Sequence, residues 1–394
     1  MFWPSLWFWT ALVDTVNLRC NLLVCKLSDL DPQQESSFVF TYIPDTALCL
    51  SFENLLAGEV QQSFLHHAST LVKEVGILNS PAVRKIDISR HLNVSMLSIR
   101  KTSLATVNVD GENGALQHLT IRYSRLTRIP SELRHLHGVK LIDISDSPID
   151  TMDLGIFCTT VALHTLRLIR NKIRLVAYSS RQPCSPIMEE LDLRGNVLVV
   201  LNLELFGICT RLTSLDVSLN AVELVTGSFD NRVLTKLHMG GNRIKQLNFC
   251  QWNLPAIGEL NLMHNMLSEV PRCIDRMSNL SVISFAFNNL TRFDMRSAAA
   301  LPCLKRLDLS NNLLTSAALN DRLAFSPCLV ELDVSYNFLT SLNLSYIPAH
   351  PSLRVCLCAD DSICTLVLDH TLLKAQNGIV DAKECGVNQT AREA

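Results

Sequence analysis

The stretch Met188-Glu-Glu-Leu191-Asp-Leu193-Arg-Gly-Asn196-Val-Leu198 returns in phase as Leu212-Thr-Ser-Leu215-Asp-Val217-Ser-Leu-Asn220-Ala-Val222. Numbered from its first residue, this segment has apolar residues at positions 1, 4, 6 and 11 and an asparagine at position 9. First positions lie 22 to 25 residues apart, a spacing that indicates one supersecondary unit per repeat. They fall at Val94, Leu116, Val139, Leu163, Met188, Leu212, Leu234, Ile257, Leu280, Leu304, Leu329 and Leu353.

The spacing of positions 4 and 6 predicts a short strand in every repeat. Side chains two residues apart on a strand point the same way, so both face a common core. Positions 2, 3, 5, 7 and 8 then face outward. Because one repeat cannot bury its apolar edge alone, the repeats are expected to stack against each other.

The position-nine asparagines are predicted to be structural. They follow the strand where the chain turns inward, and a buried amide there can satisfy backbone groups that are shielded from water. The early repeats carry Thr102, Ser124 and Ser147 instead, which predicts a less regular N-terminal third. The asparagines are Asn171, Asn196, Asn220, Asn242, Asn265, Asn288, Asn312 and Asn337.

The repeat L-x-x-L-x-L-x-x-N-x-L resembles that of the leucine-rich repeat superfamily. The resemblance implies an α/β solenoid, a horseshoe with a concave parallel β-sheet, short helical turns on the convex side and cysteine-bearing terminal caps. Phe157, Phe206 and Phe229 are expected to fill the back of the core, and residues 178–186 to form a convex loop. The expected divisions are a signal peptide at 1–15, an N-terminal cap at 16–70, repeats at 71–352, and a last degenerate repeat with a cysteine cap at 353–394.

Composition favours an extracellular protein without nucleic-acid partners. A formal net charge of −2 gives no global signature of nucleic-acid binding, and fourteen cysteines indicate an oxidising compartment. The apolar run 2–13 is too short to span a bilayer but suits a signal-peptide core, and no membrane anchor is predicted. Predicted glycosylation sequons lie at Asn93, Asn279, Asn289, Asn343 and Asn388.

The cysteines suggest bridges at both ends of the chain. Cys25 with Cys49 is the preferred N-terminal pair. The order of Cys356, Cys358, Cys364 and Cys385 resembles the C-terminal cap of extracellular leucine-rich repeat proteins, and a zinc site is the weaker alternative. Inside the repeats, equivalent cysteines in neighbouring repeats are near enough for disulfides, or are buried free thiols. These pairs are Cys184 with Cys209, Cys250 with Cys273, and Cys303 with Cys328.

The outward positions of the strands are the candidate binding residues. The N-terminal zone is cationic, with Arg100, Lys101, Arg122, Tyr123, Arg167, Arg170 and Arg194, and is interrupted by Asp143 and Asp146. The C-terminal zone is more neutral and aromatic, with His238, Met263, His264, Phe287 and Tyr336. Arginine and aromatic residues dominate binding hot spots, so this face is predicted to dock a partner, with the arginines meeting an anionic surface.

Enzymatic chemistry is not predicted. The sequence lacks G-x-S-x-G, P-loop and H-E-x-x-H motifs, and no cofactor or metal site is expected. The pairs His66-His67 and His135-Leu-His137 are interpreted as surface histidines because no carboxylate or cysteine cluster shares their phase.

More narrowly, the chain resembles the secreted leucine-rich immune proteins of mosquitoes in the form without a C-terminal coiled coil. The apolar leader, cysteine-bearing start, long repeat array and cysteine-rich tail carry that resemblance. It implies a secreted binding protein of innate immunity that docks a protein or microbial-surface partner, including another leucine-rich repeat protein. The alternative hypothesis is a non-immune leucine-rich repeat adaptor in cell adhesion or intracellular scaffolding.

Overall fold

The computed structural model describes residues 17–21, 23–33, 36–180, 184–294, 297, 300–318, 326–339, 341–343, 354–356, 366–367 and 379–381. The chain divides into two compact units, Met1–Asn196 and Val197–Ala394. The predicted signal peptide, Cys358, Cys364, Cys385 and Asn388 lie outside the described residues.

Unit one is built on a main sheet in which strands β2, β3, β5, β7, β9, β10, β12 and β14 pair in parallel, one per repeat. Strand β1 adds to its start as an antiparallel neighbour of β2. The strands are β1 (Asn17–Cys20), β2 (Val24–Ser28), β3 (Cys49–Glu53), β4 (Glu59–Val60), β5 (Glu74–Ser80), β6 (Lys85–Ser89), β7 (Met96–Thr102), β8 (Thr106–Asp110), β9 (His118–Arg122), β10 (Leu141–Ser145), β11 (Thr151–Asp153), β12 (Thr165–Arg167), β13 (Leu175–Ala177) and β14 (Glu190–Asp192).

Unit two repeats the arrangement with parallel strands β16, β19, β21, β22, β24, β26 and β28, and β29 pairs antiparallel with β28. Its strands are β15 (Val200–Asn202), β16 (Ser214–Asp216), β17 (Leu224–Thr226), β18 (Phe229–Asp230), β19 (Lys236–His238), β20 (Trp252–Asn253), β21 (Glu259–Asn261), β22 (Val282–Ser284), β23 (Arg292–Asp294), β24 (Arg306–Asp308), β25 (Ser316–Ala318), β26 (Glu331–Asp333), β27 (Ser341–Asn343), β28 (Arg354–Cys356), β29 (Leu366–Val367) and β30 (Ile379–Asp381).

The segments between main-sheet strands contain short helices, as predicted, and also second strands. The second strands form separate small sheets: β4–β6–β8 and β11–β13 in unit one, and β15–β17, β18–β20, β23–β25 and β27–β30 in unit two. An α-helix, α1, spans Gln62–Leu71. Short 3₁₀ helices span Ser36–Tyr42, Ser131–His135, Leu154–Cys158, Leu203–Ile208 and Ile274–Arg276.

The phased apolar residues form the core of each unit. Positions 4 and 6 are buried in every main-sheet repeat from β5 to β26, as at Leu191 and Leu193. Phe157, Phe206 and Phe229 are also buried, which confirms their predicted place in the core. The one-per-repeat parallel strand and the inward leucines confirm the predicted solenoid fold.

The parallel sheet begins inside the segment that was predicted as a cap. Strands β2 and β3 pair in register with each other, and β3 pairs with β5, so rungs are present before residue 71. Cys25, Leu27, Leu50 and Phe52 are buried at positions 4 and 6 of these rungs. The repeat phase of these two rungs was not recognised in the sequence. Cys25 and Phe52 stand where leucine is usual, and both rungs lack the position-nine asparagine.

The asparagine ladder confirms the structural interpretation of position 9. Asn265 Oδ1 accepts from Ile244 N of the preceding repeat at 3.0 Å, and its amide donates to Met239 O and Leu262 O. Each such asparagine therefore joins two repeats and accepts from a backbone N–H that would otherwise be stranded. The same pattern recurs at Asn196, Asn242, Asn288, Asn312 and Asn337.

The described residues contain three disulfides: Cys20–Cys25, Cys158–Cys184 and Cys250–Cys273. The Cys250–Cys273 bridge confirms one predicted connection between neighbouring repeats. The predicted Cys25–Cys49 pair is wrong, because the β1–β2 turn places Cys20 opposite Cys25 in register. Cys184 joins Cys158 instead of Cys209, which is a buried thiol, while Cys303 and Cys328 are exposed free thiols and Cys356 is buried in β28.

Candidate binding face

The outward side of each main sheet, termed the open face, is formed by positions 3, 5 and 7 of the strands together with position 8 just beyond them. Strand alternation buries positions 4 and 6 and leaves most of the intervening side chains partly or fully exposed, although Asp143 and Ser145 are buried. All twelve candidate binding residues lie at positions 5, 7 or 8 of this face. Seven belong to unit one and five to unit two.

Position 8 has an unusual backbone that aims its side chain outward. The residue there adopts a positive φ in repeat after repeat, between 47° and 69° wherever the conformation occurs. This left-handed turn directs the chain inward so that the next residue, the asparagine, can enter the core. Six candidates share it: Lys101, Tyr123, Arg170, His264, Phe287 and Tyr336.

Most of the predicted cations of unit one are paired with carboxylates. Arg122 Nε donates to Asp143 Oδ2 at 2.9 Å, and Asp143 is buried. The Arg170 guanidinium contacts both carboxylate oxygens of Asp146, at 2.6 and 3.1 Å. These hydrogen-bonded carboxylates raise the pKa of both arginines. Such pairing neutralises much of the positive zone that the sequence suggested.

Two further arginines follow the same rule. Arg194 is paired with Asp192 of its own repeat at 2.7 Å, and Arg167 lies 4.0 Å from Glu190. Arg100 and Lys101 are different, since neither has an ion pair among the described residues. The uncompensated positive charge of the predicted zone is therefore concentrated at the end of β7.

The open face of unit two carries exposed aromatic side chains. The rings of His264 and Phe287, from adjacent repeats, are stacked with centroids 4.1 Å apart and planes 14° apart. Phe287 is 44% exposed and Tyr336 is 39% exposed. Met263 is half-buried beside His264. Large aromatic groups held on a rigid sheet provide contact area at small entropic cost.

His238 lies between two carboxylates on neighbouring strands. Its Nδ1 is 3.6 Å from Asp216 Oδ2, and its Nε2 is 2.9 Å from Glu259 Oε1. Asp216 and then Glu259 raise the pKa of His238 despite its partial burial. Burial raises the pKa of Asp216, but hydrogen bonds from His238 and Ser218 outweigh it and lower the pKa overall.

Three sequons present exposed asparagines: Asn93, Asn279 and Asn289. Asn279 Nδ2 donates to Pro255 O at 2.6 Å. The side chain of Asn343 lies outside the described residues. Within the described part of the chain, no helix is long and apolar enough to cross a membrane, and no cluster of three His, Cys, Asp or Glu is arranged to hold a metal ion.

Comparisons with known proteins agree with this fold. Chaoptin of Drosophila melanogaster is 27% identical over 207 residues, which cover 52% of this chain and 14% of Chaoptin. Podocan-like protein 1 of Homo sapiens is 26% identical over 218 residues, covering 52% of this chain and 41% of that protein. The chain thus spans less than half the length of these relatives.

Among solved structures, the leucine-rich repeat protein LIC12759 of Leptospira interrogans matches with a TM-score of 0.52 and 17% identity, covering 81% of this chain and 85% of that one. The leucine-rich repeat domain of APL1 matches with a TM-score of 0.51 and 17% identity, covering 84% and 86%. No model of a protein family matches the chain. The phased repeats, the stacked parallel strands and these structural neighbours show that the chain has the leucine-rich repeat fold.

Proposed function

We propose that the chain is a secreted binding protein that docks a protein or microbial-surface partner on its open face and acts in innate immunity. The observation that carries the docking role is the row of outward position-eight side chains, with exposed Phe287 and Tyr336 held on a rigid sheet. Solenoids of this kind use their extended strand surface for binding. The proposed role is non-enzymatic.

Two findings support secretion and the immune setting. Disulfides form and persist in oxidising compartments, and the part of the chain that the structure describes has three. The sequence resemblance to secreted mosquito immune proteins supports the immune role, and the APL1 domain shares the fold. Infection-induced expression is the outcome that separates immunity from adhesion.

The docking role is tested by affinity capture from the fluid that bathes the secreting tissue, with the double variant Phe287→Asn and Tyr336→Asn. Asparagine tolerates the left-handed conformation, so the backbone is preserved while the aromatic surface is lost. We expect at least a tenfold loss of affinity for the captured partner, because aromatic hot spots contribute about 2 kcal/mol or more each.

The matched control is Leu224→Gln, which removes a side chain 54% exposed on the separate β15–β17 sheet. Glutamine is used because asparagine would create an Asn-Val-Thr sequon there. Unchanged affinity in the double variant, or equal losses in both proteins, would contradict docking on the open face. Cytosolic retention with reduced thiols would favour the intracellular adaptor instead.

A further inference from the structure

The open face of unit one contains a hollow between β3, β5 and β7, with a volume of about 180 Å³. Its floor is position 5 of three consecutive repeats, where Ser51, Gly76 and Ser98 lie in register. These residues have small side chains or none, whereas the next repeats carry larger groups at this position. The hollow is therefore a consequence of three small residues in one column.

The floor presents an unsatisfied hydrogen-bonding group. Ser51 Oγ is buried and has no hydrogen-bond partner among the described residues. An ideal Cβ at Gly76 would lie 3.6 Å from this oxygen, so the hydroxyl borders the space that a side chain at residue 76 would fill. A buried polar atom without a partner costs free energy, which a ligand atom placed in the hollow would recover.

The two ends of the hollow carry opposite charges. Arg100 at one end is in register with Leu78, while Glu74 at the other end is in register with Met96. Glu74 and Arg100 are offset by four residues along the strand direction, which is roughly 13 Å at about 3.3 Å per residue. Cys49 lies beside Glu74, and burial, followed by that carboxylate, raises the pKa of its thiol. The Cys49 thiol is therefore neutral at pH 7 and adds no second negative charge.

Arg100 is available for an external anion. The arginines at 122, 167, 170 and 194 have acidic partners within the chain, but no ion pair of Arg100 or the adjacent Lys101 is found in the described residues. A guanidinium that has no internal carboxylate gains most from an incoming one, because carboxylates accept its hydrogen bonds in bidentate geometry.

We propose that this hollow receives an acidic side chain from an extended segment of a protein partner. The carboxylate accepts hydrogen bonds from the Arg100 guanidinium and from the hydroxyl groups of the floor. Glu74 repels a second carboxylate at the far end and thereby sets the direction in which the segment lies. This inference rests on the proposed function and names the chemistry of the partner that binds the open face of unit one.

The probe is a blocked peptide, acetyl-Gly-Ser-Glu-Ser-Gly-amide, compared with the same peptide carrying Gln or Lys in place of Glu. Binding to the full chain is followed by the methyl NMR signal of Met96, which lines the hollow and is assigned with Met96→Leu. We expect a saturable shift with the Glu peptide, at least tenfold weaker binding of the Gln peptide, and no binding of the Lys peptide.

Two variants test the site itself. Gly76→Val fills the hollow, and its Cβ would make only ordinary van der Waals contacts, the shortest at 3.6 Å, so the strand is expected to fold. Arg100→Glu is expected to abolish binding of the Glu peptide and to make the Lys peptide the preferred one. Arg128→Glu, an exposed arginine outside the open face, serves as the charge-matched control. Circular dichroism checks that every variant is folded.

The inference is overturned if the three peptides shift Met96 equally or not at all, or if folded Gly76→Val and Arg100→Glu bind the Glu peptide as the original chain does. These outcomes are distinguishable from failure of the proposed function. Loss of partner capture in the Phe287 and Tyr336 double variant, with full capture by Gly76→Val, would keep the docking face and reject the hollow.

Discussion

Single residues at position 9 connect the repeats of this protein. An asparagine side chain has one acceptor and two donor hydrogens, which is enough to reach its own repeat and the preceding one at once. A hydroxyl is shorter, and the early repeats compensate by bonding hydroxyl to hydroxyl, as between Ser124 and Ser147 at 2.8 Å. The irregularity predicted for these repeats thus has a direct chemical cause.

The ladder predicts a large effect for one truncation. Asn265→Ala leaves buried Ile244 N without its acceptor. It also removes one of two donors to the carbonyls of Met239 and Leu262, which keep their hydrogen bonds from Asn242 and Asn288. Because one buried N–H without an acceptor costs about 1–3 kcal/mol, we expect the variant to lose about 2 kcal/mol of unfolding free energy. Chemical denaturation measures this loss of unfolding free energy, with exposed Asn93→Ala as the control. A loss below that of the control would refute the structural role of the ladder.

His238 on the open face predicts that the stability of the fold depends on pH. The pKa of His238 is raised in the folded state, so its charged form contributes stability fully below its unfolded pKa of about 6.5. That contribution is lost as pH rises through the raised folded value. We expect His238→Gln to lower Tm more at pH 5.5 than at pH 9, while exposed His66→Gln has a small effect at both. Equal shifts at the two pH values would contradict the Asp216–His238–Glu259 arrangement.

At the scale of elements, the repeat length explains the structure between main-sheet strands. A repeat of 22 to 25 residues has space for one short main-sheet strand, an inward turn and a return segment, so most of the described helices are short 3₁₀ segments. Asn113 and Asn231 organise this return. Each amide oxygen accepts from the backbone N–H groups of a position-one leucine and of the residue before it, as Asn231 does from Leu234 and Val233. The sequence signal that could have revealed this role is an asparagine three residues before the position-one leucine of a repeat.

The cysteines of the return segments give a prediction about thiol reactivity. Iodoacetamide should label exposed Cys303 and Cys328 in the folded protein without reductant. It should leave Cys209 unlabelled, because burial raises the pKa of that thiol to about 12 and blocks access. Peptide mass spectrometry after labelling identifies each site. Labelled Cys250 or Cys273 would show that their disulfide is not formed.

Removing the Cys250–Cys273 disulfide should destabilise unit two. The bridge closes a loop with a sequence separation of 23 residues, for which the chain-entropy relation gives about 3 kcal/mol. Cys250→Ser with Cys273→Ser should therefore lower the unfolding free energy by about that amount. Cys303→Ser with Cys328→Ser, which breaks no bridge, is the matched control. A double-serine variant as stable as the control would argue against a stabilising role for the bridge.

At the scale of the whole molecule, the proposed secretion predicts glycosylation. A chain expressed through a eukaryotic secretory pathway should carry glycans at the exposed sequons Asn93, Asn279 and Asn289. Intact mass before and after enzymatic deglycosylation, with each Asn→Gln variant, measures their occupancy. An unglycosylated product that stays in the cytosol would count against the secreted function.

The candidate face was predictable in position but not in charge. Periodicity placed Arg122, Arg170 and Phe287 on the outward side of strands, where the structure has them. Their partners come from neighbouring repeats 21 to 24 residues away, and pairing of that kind depends on strand register. The hollow above Gly76 was missed because Ser51 lies in a rung whose apolar positions hold Leu50 and Phe52 in an unrecognised phase.

By itself, the sequence determined the repeat, the inward leucines, the structural asparagines and the outward positions, because each follows from a local period that the strand and its turn impose. The tertiary structure alone decided which charges are neutralised, which cysteines pair and where a hollow opens. Those properties depend on side chains from different repeats meeting across about 4.8 Å between adjacent strands. A periodic pattern specifies the direction of each side chain, but stacking selects its neighbour.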